Sequence, residues 1–237
     1  MRTAFSSRVL TLAALLQLGS SRLLASEDGV ALAIIYDTSG SMRQTVRNNS
    51  GGFSPKYVIA NRALLKIVDQ IEAFATNNAA DAPRKVHAGL FTFANNGAKE
   101  VVKFGPFDAE ALRQFARNFS EPNGNTPLGN ALKTAARCVL DSPLSRKHVL
   151  IITDGVNNGG PTPAEVLPSL NRRAEHEQTS LSVHFVAFDV DAHEFAKVKK
   201  LGATVVGAAN ETQLNNQLDF ILQKQILLER EEPAKTK

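Results

Sequence analysis

The hydrophobic and polar positions of this chain follow two alternating periods, which predict strands and helices in turn. Four short apolar runs, rich in Val, Ile, Leu and Phe and bounded by polar or turn-forming residues, lie at 30–36, 86–93, 148–153 and 181–188. Continuous apolar runs of this length are typical of strands that are buried on both faces. Between the first two runs, apolar residues recur at the spacing of an amphipathic helix, at Ala60, Leu64, Ile67, Ile71 and Phe74.

The same helical period returns after each later run. It predicts helices over 128–139, 163–177, 192–201 and 212–228. Strands that alternate with helices favour right-handed crossovers and a mostly parallel sheet. A short segment at 100–104 follows a turn-forming stretch and is predicted to pair as an antiparallel edge strand. The expected fold is therefore α/β: a doubly wound, mostly parallel sheet with one antiparallel edge strand and helices on both faces.

The first 25 residues have the pattern of a secretory signal peptide. Arg2 and Arg8 precede an apolar stretch at 9–18, and small residues follow around Ala25. The apolar stretch is shorter than the roughly 20 residues that a membrane-spanning helix needs. We therefore expect a signal peptide over 1–25 and a single domain over 26–237. The expected location is periplasmic or secreted, without a transmembrane segment after cleavage.

The charge of the chain changes when that segment is set aside. The full sequence has 27 basic and 23 acidic residues, and the first 25 residues hold three arginines and no acidic residue. The predicted domain therefore carries 24 basic against 23 acidic residues and is nearly neutral. Because it has no cluster of Lys and Arg, the sequence gives no indication of nucleic-acid binding. The single cysteine, Cys138, cannot form a disulfide within the chain.

Oxygen-bearing side chains follow two of the predicted strands. The first strand leads into Asp37-Thr38-Ser39-Gly40-Ser41, and the third leads into Asp154-Gly155. A third motif, 124–128, places Thr126 at the start of a predicted helix. The loops after parallel strands open onto the same edge of a doubly wound sheet, and carboxylate and hydroxyl oxygens suit hard divalent cations. Each motif alone is weak, because Asp and Ser often cap helices and turns, but the three together predict a metal site.

On these motifs the chain resembles the von Willebrand factor type A domain family, over residues 30–228. The resemblance implies a metal-ion-dependent adhesion site formed by Asp37, Ser39, Ser41, Thr126 and Asp154. It implies that the two serines bind the ion directly, that Thr126 does so in the ligand-competent state, and that the aspartates act largely through bound water. The expected ion is Mg²⁺, and Mn²⁺ or Ca²⁺ suits similar donors.

The balance of charge at such a site predicts its function. Three neutral hydroxyls and two carboxylates that act through water leave the cation with an exchangeable position and residual positive charge. In the manner of the family, an Asp or Glu carboxylate of a partner protein or peptide would complete the octahedron. The expected function is an exported, cation-dependent adhesion or interaction module without enzymatic activity. Three loops, 43–55, 157–162 and 189–193, are expected to supply further partner contacts, and 43–55 is expected to be a mobile, turn-rich loop.

Two other functions remain open at this stage. A magnesium-dependent phosphotransferase or hydrolase of doubly wound fold also has an aspartate after its first strand. Haloacid-dehalogenase-like enzymes need a second carboxylate two residues later, where this chain has Ser39. The other alternative is a structural domain of the same family in an envelope assembly, with a vestigial site.

A further acidic segment follows the fourth predicted strand. Asp189, Asp191 and His193 alternate there and could hold a second ion. The favoured interpretation is that Asp191 caps the next helix.

Overall fold

The computed structural model describes residues 26–76, 84–94 and 97–228, and the predicted signal peptide lies outside them. The strands are β1 Glu27–Tyr36, β2 Thr45–Arg47, β3 Phe53–Pro55, β4 Val86–Ala94, β5 Gly97–Pro106, β6 Leu144–Thr153, β7 Leu181–Phe188 and β8 Thr204–Ala208. The helices are α1 Lys56–Thr76, α2 Ala109–Asn118, α3 Leu128–Leu140, α4 Pro163–His176, α5 Ala196–Lys200 and α6 Glu211–Phe220. Single turns of 3-10 helix cover Gly40–Arg43 and Ala192–Phe195, and a π-helical segment, Ile221–Leu227, continues α6.

Six of the strands form one sheet in the order β5-β4-β1-β6-β7-β8. All neighbours pair in parallel except β4 and β5, which pair antiparallel at the edge. The doubly wound, mostly parallel α/β fold predicted from the sequence is thus confirmed. β1 lies in the middle of the sheet, and its last residue, Tyr36, pairs with Ile152 of β6. This register brings the residues that follow β1 and β6 together at one edge.

Each face of the sheet has its own hydrophobic core. On one face, Val30, Leu32 and Ile34 of β1 pack with α1, α2, α6 and the π-helical segment. On the other face, the small side chains of Ala31 and Ala33 pack with α3, α4 and α5. These five β1 residues are fully buried. Burial of each larger apolar side chain contributes about 1.5 to 3 kcal/mol, so the central strand is held firmly on both sides.

The segment 43–55, predicted to be a mobile, turn-rich loop, contains two short strands. Thr45–Arg47 and Phe53–Pro55 pair as an antiparallel hairpin, and Val46 is buried against the core. In the turn, the Asn48 side-chain oxygen accepts hydrogen bonds from the N–H groups of Ser50 (3.1 Å) and Gly52 (3.0 Å). The sequence signal was missed because only Val46 is apolar in β2, and a single buried residue leaves no periodic pattern.

Three other details were not anticipated. The prediction of one helix over 192–201 is wrong at its start, where a 3-10 turn precedes α5. β8 and α2 were not predicted. β8 has only five residues and α2 only ten, and such short elements give little periodic signal.

No helix in the described ranges is both long enough and apolar enough to cross a membrane.

Candidate metal centre

The pairing of β1 with β6 places two aspartates side by side. The Asp37 N–H donates to the Ile152 carbonyl (3.1 Å), so the parallel pairing continues one residue beyond β1. Asp154 follows Thr153, the last residue of β6. Both aspartates are buried. Two neighbouring buried carboxylates need a compensating positive charge or hydrogen-bond donors.

Asp37 organises both loops through hydrogen bonds. Its Oδ1 accepts from the Ser39 N–H (2.7 Å), and its Oδ2 accepts from the Thr153 hydroxyl (2.6 Å) and the Asp154 N–H (3.4 Å). Burial, together with the charge of Asp154, raises the pKa of Asp37 to about 6, although these hydrogen bonds oppose the rise. The Asp37 carboxylate therefore holds the ends of β1 and β6 together, although burial of its charge beside Asp154 is unfavourable.

The Ser41 hydroxyl contacts Asp154, and the Ser39 hydroxyl contacts that of Ser41. Ser39 precedes the 3-10 turn Gly40–Arg43, but its side chain makes no capping hydrogen bond. Instead its Oγ lies 3.0 Å from the Ser41 Oγ, and the Ser41 hydroxyl donates to Asp154 Oδ1 (2.7 Å). A cap or turn was the alternative interpretation of this motif, and the hydroxyl of Ser39 is not used in that way.

Thr126 reaches the same place from a third loop. Its N–H donates to the Asn158 side-chain oxygen (2.6 Å), and the Gly124 carbonyl accepts from the Gly40 N–H (3.2 Å). Gly124 has a φ of +82°, a conformation that strongly favours glycine. The hydroxyls of Thr126 and Ser41 lie 3.4 and 3.9 Å from the position that a Cβ would take on Gly155. The three motifs therefore surround one small volume.

The separation of the two serine oxygens fits a small divalent cation. Adjacent ligands of an octahedral ion with bonds of about 2.1 Å are about 3.0 Å apart. The two serine oxygens have that separation. Within the described ranges, no three Asp, Glu, His or Cys side chains form a metal-binding group, so this candidate centre combines hydroxyls with only two carboxylates. That its five residues bind a metal stays a prediction.

A buried lysine, which the sequence analysis missed, adjoins these residues. Lys56 is the first residue of α1 and is only 2% exposed. Its ammonium donates to Asp154 Oδ2 (3.0 Å) and to Gln44 Oε1 (3.0 Å), and lies 2.9 Å from Asp189 Oδ2. Burial opposes the charged form, but the hydrogen bonds and charges of Asp189 and Asp154 outweigh it and raise the pKa of Lys56. No local signal identified this lysine, because a lysine at the first position of a helix is ordinarily exposed.

The two aspartates in the segment after β7, Asp189 and Asp191, have different roles. Asp191 accepts from the His193 N–H (2.9 Å) at the start of the 3-10 turn, so the prediction of a helix cap is confirmed. Asp189 instead pairs with Lys56, from a backbone with a φ of +56°.

The raised pKa of Asp37 predicts how stability depends on pH without metal. A proton binds the folded state more tightly than the unfolded one, so this stabilisation is complete below about pH 4 and is lost as pH rises through about 6. In chelator, the free energy of unfolding of wild type minus that of Asp37→Asn should fall by about 2 to 3 kcal/mol between pH 4 and 7. Urea unfolding of both proteins measures this difference, and the subtraction cancels the contributions of titrating groups that do not interact with Asp37. If the difference in the free energy of unfolding stays constant with pH, the pKa of Asp37 is not raised in the folded protein.

Comparisons with known proteins agree with this architecture. The family model of the von Willebrand factor type A domain matches residues 31–221. No curated protein matches the chain. Among solved structures, the PilB minor pilin from Streptococcus sanguinis is 15% identical with a TM-score of 0.59, and the match covers 82% of this chain and 61% of the pilin.

Two further structures have the same fold. The vWF domain of the type V pili tip protein Mfa5 from Porphyromonas gingivalis is 13% identical, with a TM-score of 0.59, and the match covers 89% of this chain and 100% of that domain. Proximal thread matrix protein 1 from the mussel byssus, with zinc in its MIDAS motif, is 16% identical, with a TM-score of 0.58, 83% of this chain covered and 48% of that protein. The chain thus spans about three fifths of the pilin and about half of the byssus protein. Since the family model covers most of its length, the chain belongs to the von Willebrand factor type A domain family.

Proposed function

We propose that this protein is an exported interaction module, periplasmic or secreted, that binds an acidic group of a partner protein through a divalent cation. Mg²⁺ is the proposed ion. The proposed ligands and their immediate supports are Asp37, Ser39, Ser41, Thr126 and Asp154. The observation that carries the proposal is the continuous set of oxygens from Ser39 through Ser41 to Asp154, with separations of 3.0 and 2.7 Å.

Each residue has a distinct part in this proposal. Ser39, Ser41 and Thr126 supply neutral oxygens, while Asp37 fixes the Ser39 backbone and the end of β6. Asp154 holds the Ser41 hydroxyl, and its charge is shared with Lys56. When bound, the cation supplies positive charge and an open coordination position for a carboxylate. Because the proposed direct ligands are neutral hydroxyls, the cation would keep much of its positive charge, which favours an anionic group from outside.

Exposed apolar side chains on two segments that adjoin the site support a protein as the partner. Phe53, on the β2–β3 hairpin, is 67% exposed, and Val156, two residues after Asp154, is 45% exposed. Large exposed apolar side chains are typical of protein interfaces. One carboxylate on one ion binds weakly in water, so a lasting complex needs an interface of about 1,200 Å² or more. We propose that the hairpin and the loop after β6 contribute to it.

The related structures give the proposal a biological setting. One is a domain of a pilus tip protein, and another is a byssus matrix protein described with zinc in its MIDAS motif. We extend a cation-dependent role outside the cytoplasm to this chain. No observation favours the phosphotransferase alternative, because Ser39 stands where such enzymes need the second carboxylate.

A carboxylate probe tests this function. With Mn²⁺ bound, acetate is expected to displace a metal-bound water and lower the water proton relaxation rate, whereas the neutral analogue acetamide is expected to have little effect. Ser41→Ala should weaken Mn²⁺ binding by about ten-fold or more, because it removes a ligand and the partner of Asp154. Ser180→Ala, an exposed serine before β7, is the matched control.

Two outcomes would contradict the proposal. One is equal Mn²⁺ affinity in Ser41→Ala and Ser180→Ala, which would place the ion elsewhere. The other is a relaxation rate that acetate and acetamide leave equally unchanged, which would mean that the bound ion offers no position to a carboxylate.

A further inference from the structure

The carboxylate of Asp154 is shared between the candidate centre and a lysine. Its Oδ1 accepts from the Ser41 hydroxyl (2.7 Å), whereas its Oδ2 accepts from the Lys56 ammonium (3.0 Å). The same ammonium lies 2.9 Å from Asp189 Oδ2 and 3.0 Å from Gln44 Oε1. Three oxygens therefore surround a fixed positive charge directly behind the proposed metal site.

Lys56 occupies this position against two general penalties. It begins α1, where the helix dipole disfavours a cation, and its side chain is almost completely buried. Its backbone N–H also donates to the Gln44 carbonyl (2.8 Å), so both ends of the residue are held by the segment that follows the first motif. The carboxylates of Asp154 and Asp189 offset these penalties. A neutral residue of similar length would avoid both, which indicates a role for the charge itself.

We propose that Lys56 is a built-in counter-charge that sets the affinity of the site for its divalent cation. The ammonium neutralises Asp154, so the protein holds the cation less tightly and leaves more of its positive charge for a partner's carboxylate. In the metal-free protein the same ammonium stabilises Asp154, so the site keeps its arrangement without an ion. This inference rests on the proposed function, since it assigns the regulation of the same site.

Asp189 offers an independent way to change how far the positive charge of Lys56 is neutralised. Its side chain is 40% exposed and contacts the ammonium from the loop after β7. Loss of its charge leaves the positive charge of Lys56 less compensated, which should weaken binding of the cation. Asparagine tolerates the positive φ of Asp189 as aspartate does, so Asp189→Asn changes the charge with little change in backbone strain.

Calorimetric titration with Mn²⁺ tests the inference. Lys56→Met, which keeps the length of the side chain, is expected to bind Mn²⁺ about ten-fold more tightly than wild type, and Asp189→Asn about three-fold more weakly. Mn²⁺ should also raise the melting temperature of Lys56→Met by more than it raises that of wild type. Lys66→Met removes the same charge from an exposed position on α1 and is expected to bind within about two-fold of wild type.

Lys56→Met and Asp189→Asn shift the affinity for Mn²⁺ in opposite directions only if the charge of Lys56 is the cause. A merely structural lysine would give variants that are less stable without the opposed changes in affinity. If Lys56→Met binds Mn²⁺ no more tightly than wild type, or Asp189→Asn no more weakly, the inference is wrong while the proposed function stands. If no variant and no wild-type protein binds Mn²⁺, the proposed function itself fails. A Lys56→Met protein that folds only with Mn²⁺ supports the inference, and if it does not fold even then, Asp189→Asn decides.

Discussion

Replacement of Asp37 with alanine is expected to abolish half or more of the thermal stabilisation that Mg²⁺ gives to the wild-type protein. Asp37 holds the Ser39 backbone and the Thr153 hydroxyl, so its loss releases both loops that supply oxygens. Loss of such a supporting carboxylate weakens metal binding by about 10- to 100-fold. At an Mg²⁺ concentration of about 100 times the wild-type Kd, binding stabilises wild type by about 2.7 kcal/mol. For a domain of this size that corresponds to a rise of about 5 to 10 °C in Tm.

The measurement compares melting temperatures in Mg²⁺ and in chelator, with a matched aspartate as control. Asp108 also accepts a hydrogen bond from a backbone N–H, that of Ala111 (2.9 Å), where it caps α2 outside the candidate centre. Asp108→Ala should lower the Tm in both conditions through loss of the cap and keep the full Mg²⁺ response. An Asp37→Ala protein with a wild-type Mg²⁺ response would show that Asp37 has no part in metal binding.

Replacement of Gly129 with alanine is expected to destabilise the protein by more than about 3 kcal/mol. A Cβ on Gly129 would lie 2.0 Å from the Pro161 carbonyl oxygen and 2.8 Å from backbone carbons of Pro161 and Thr162. No side-chain rotation relieves an overlap with backbone, so α3 and the loop before α4 must separate. Gly129 is the second residue of α3, which begins directly after the loop that carries Thr126. The change should therefore also weaken the Mg²⁺ response.

Urea unfolding measures this effect against the same substitution at an open glycine. A Cβ on Gly105, in β5, would meet no atom within 4 Å. Gly105→Ala should change the free energy of unfolding by about 0.5 kcal/mol or less. Equal unfolding midpoints for the two variants would mean that α3 does not approach the loop before α4 as closely as described.

The fold and the candidate ligands were accessible from sequence for one physical reason. Strands buried on both faces, such as β1 and β6, require continuous apolar runs. The end of each run therefore predicts where the strand ends. Residues that follow parallel strands meet at one edge, so the sequence alone predicts that Asp37 and Asp154 lie close together. The resemblance to the family then supplied Thr126, whose loop precedes a helix rather than following a strand.

The remaining features depend on contacts between distant segments, which leave no local pattern. The role of Lys56 requires that Asp154, Asp189 and Gln44 converge on its ammonium, and these residues are far apart in the chain. A lysine at the start of a helix is ordinarily exposed, so its burial could not be inferred. The β2–β3 hairpin was likewise missed, because turn-forming residues dominate its sequence and one buried valine anchors it.

The central claim is that the three motifs bind one divalent cation. Its most direct test is a crystal structure grown with Mn²⁺, with an anomalous difference map recorded to locate the ion. One strong peak is expected at about 2.1 to 2.2 Å from the hydroxyl oxygens of Ser39 and Ser41, beside Thr126 and Asp154. A map without a peak at this point, from crystals in which Mn²⁺ exceeds millimolar concentration, would contradict it.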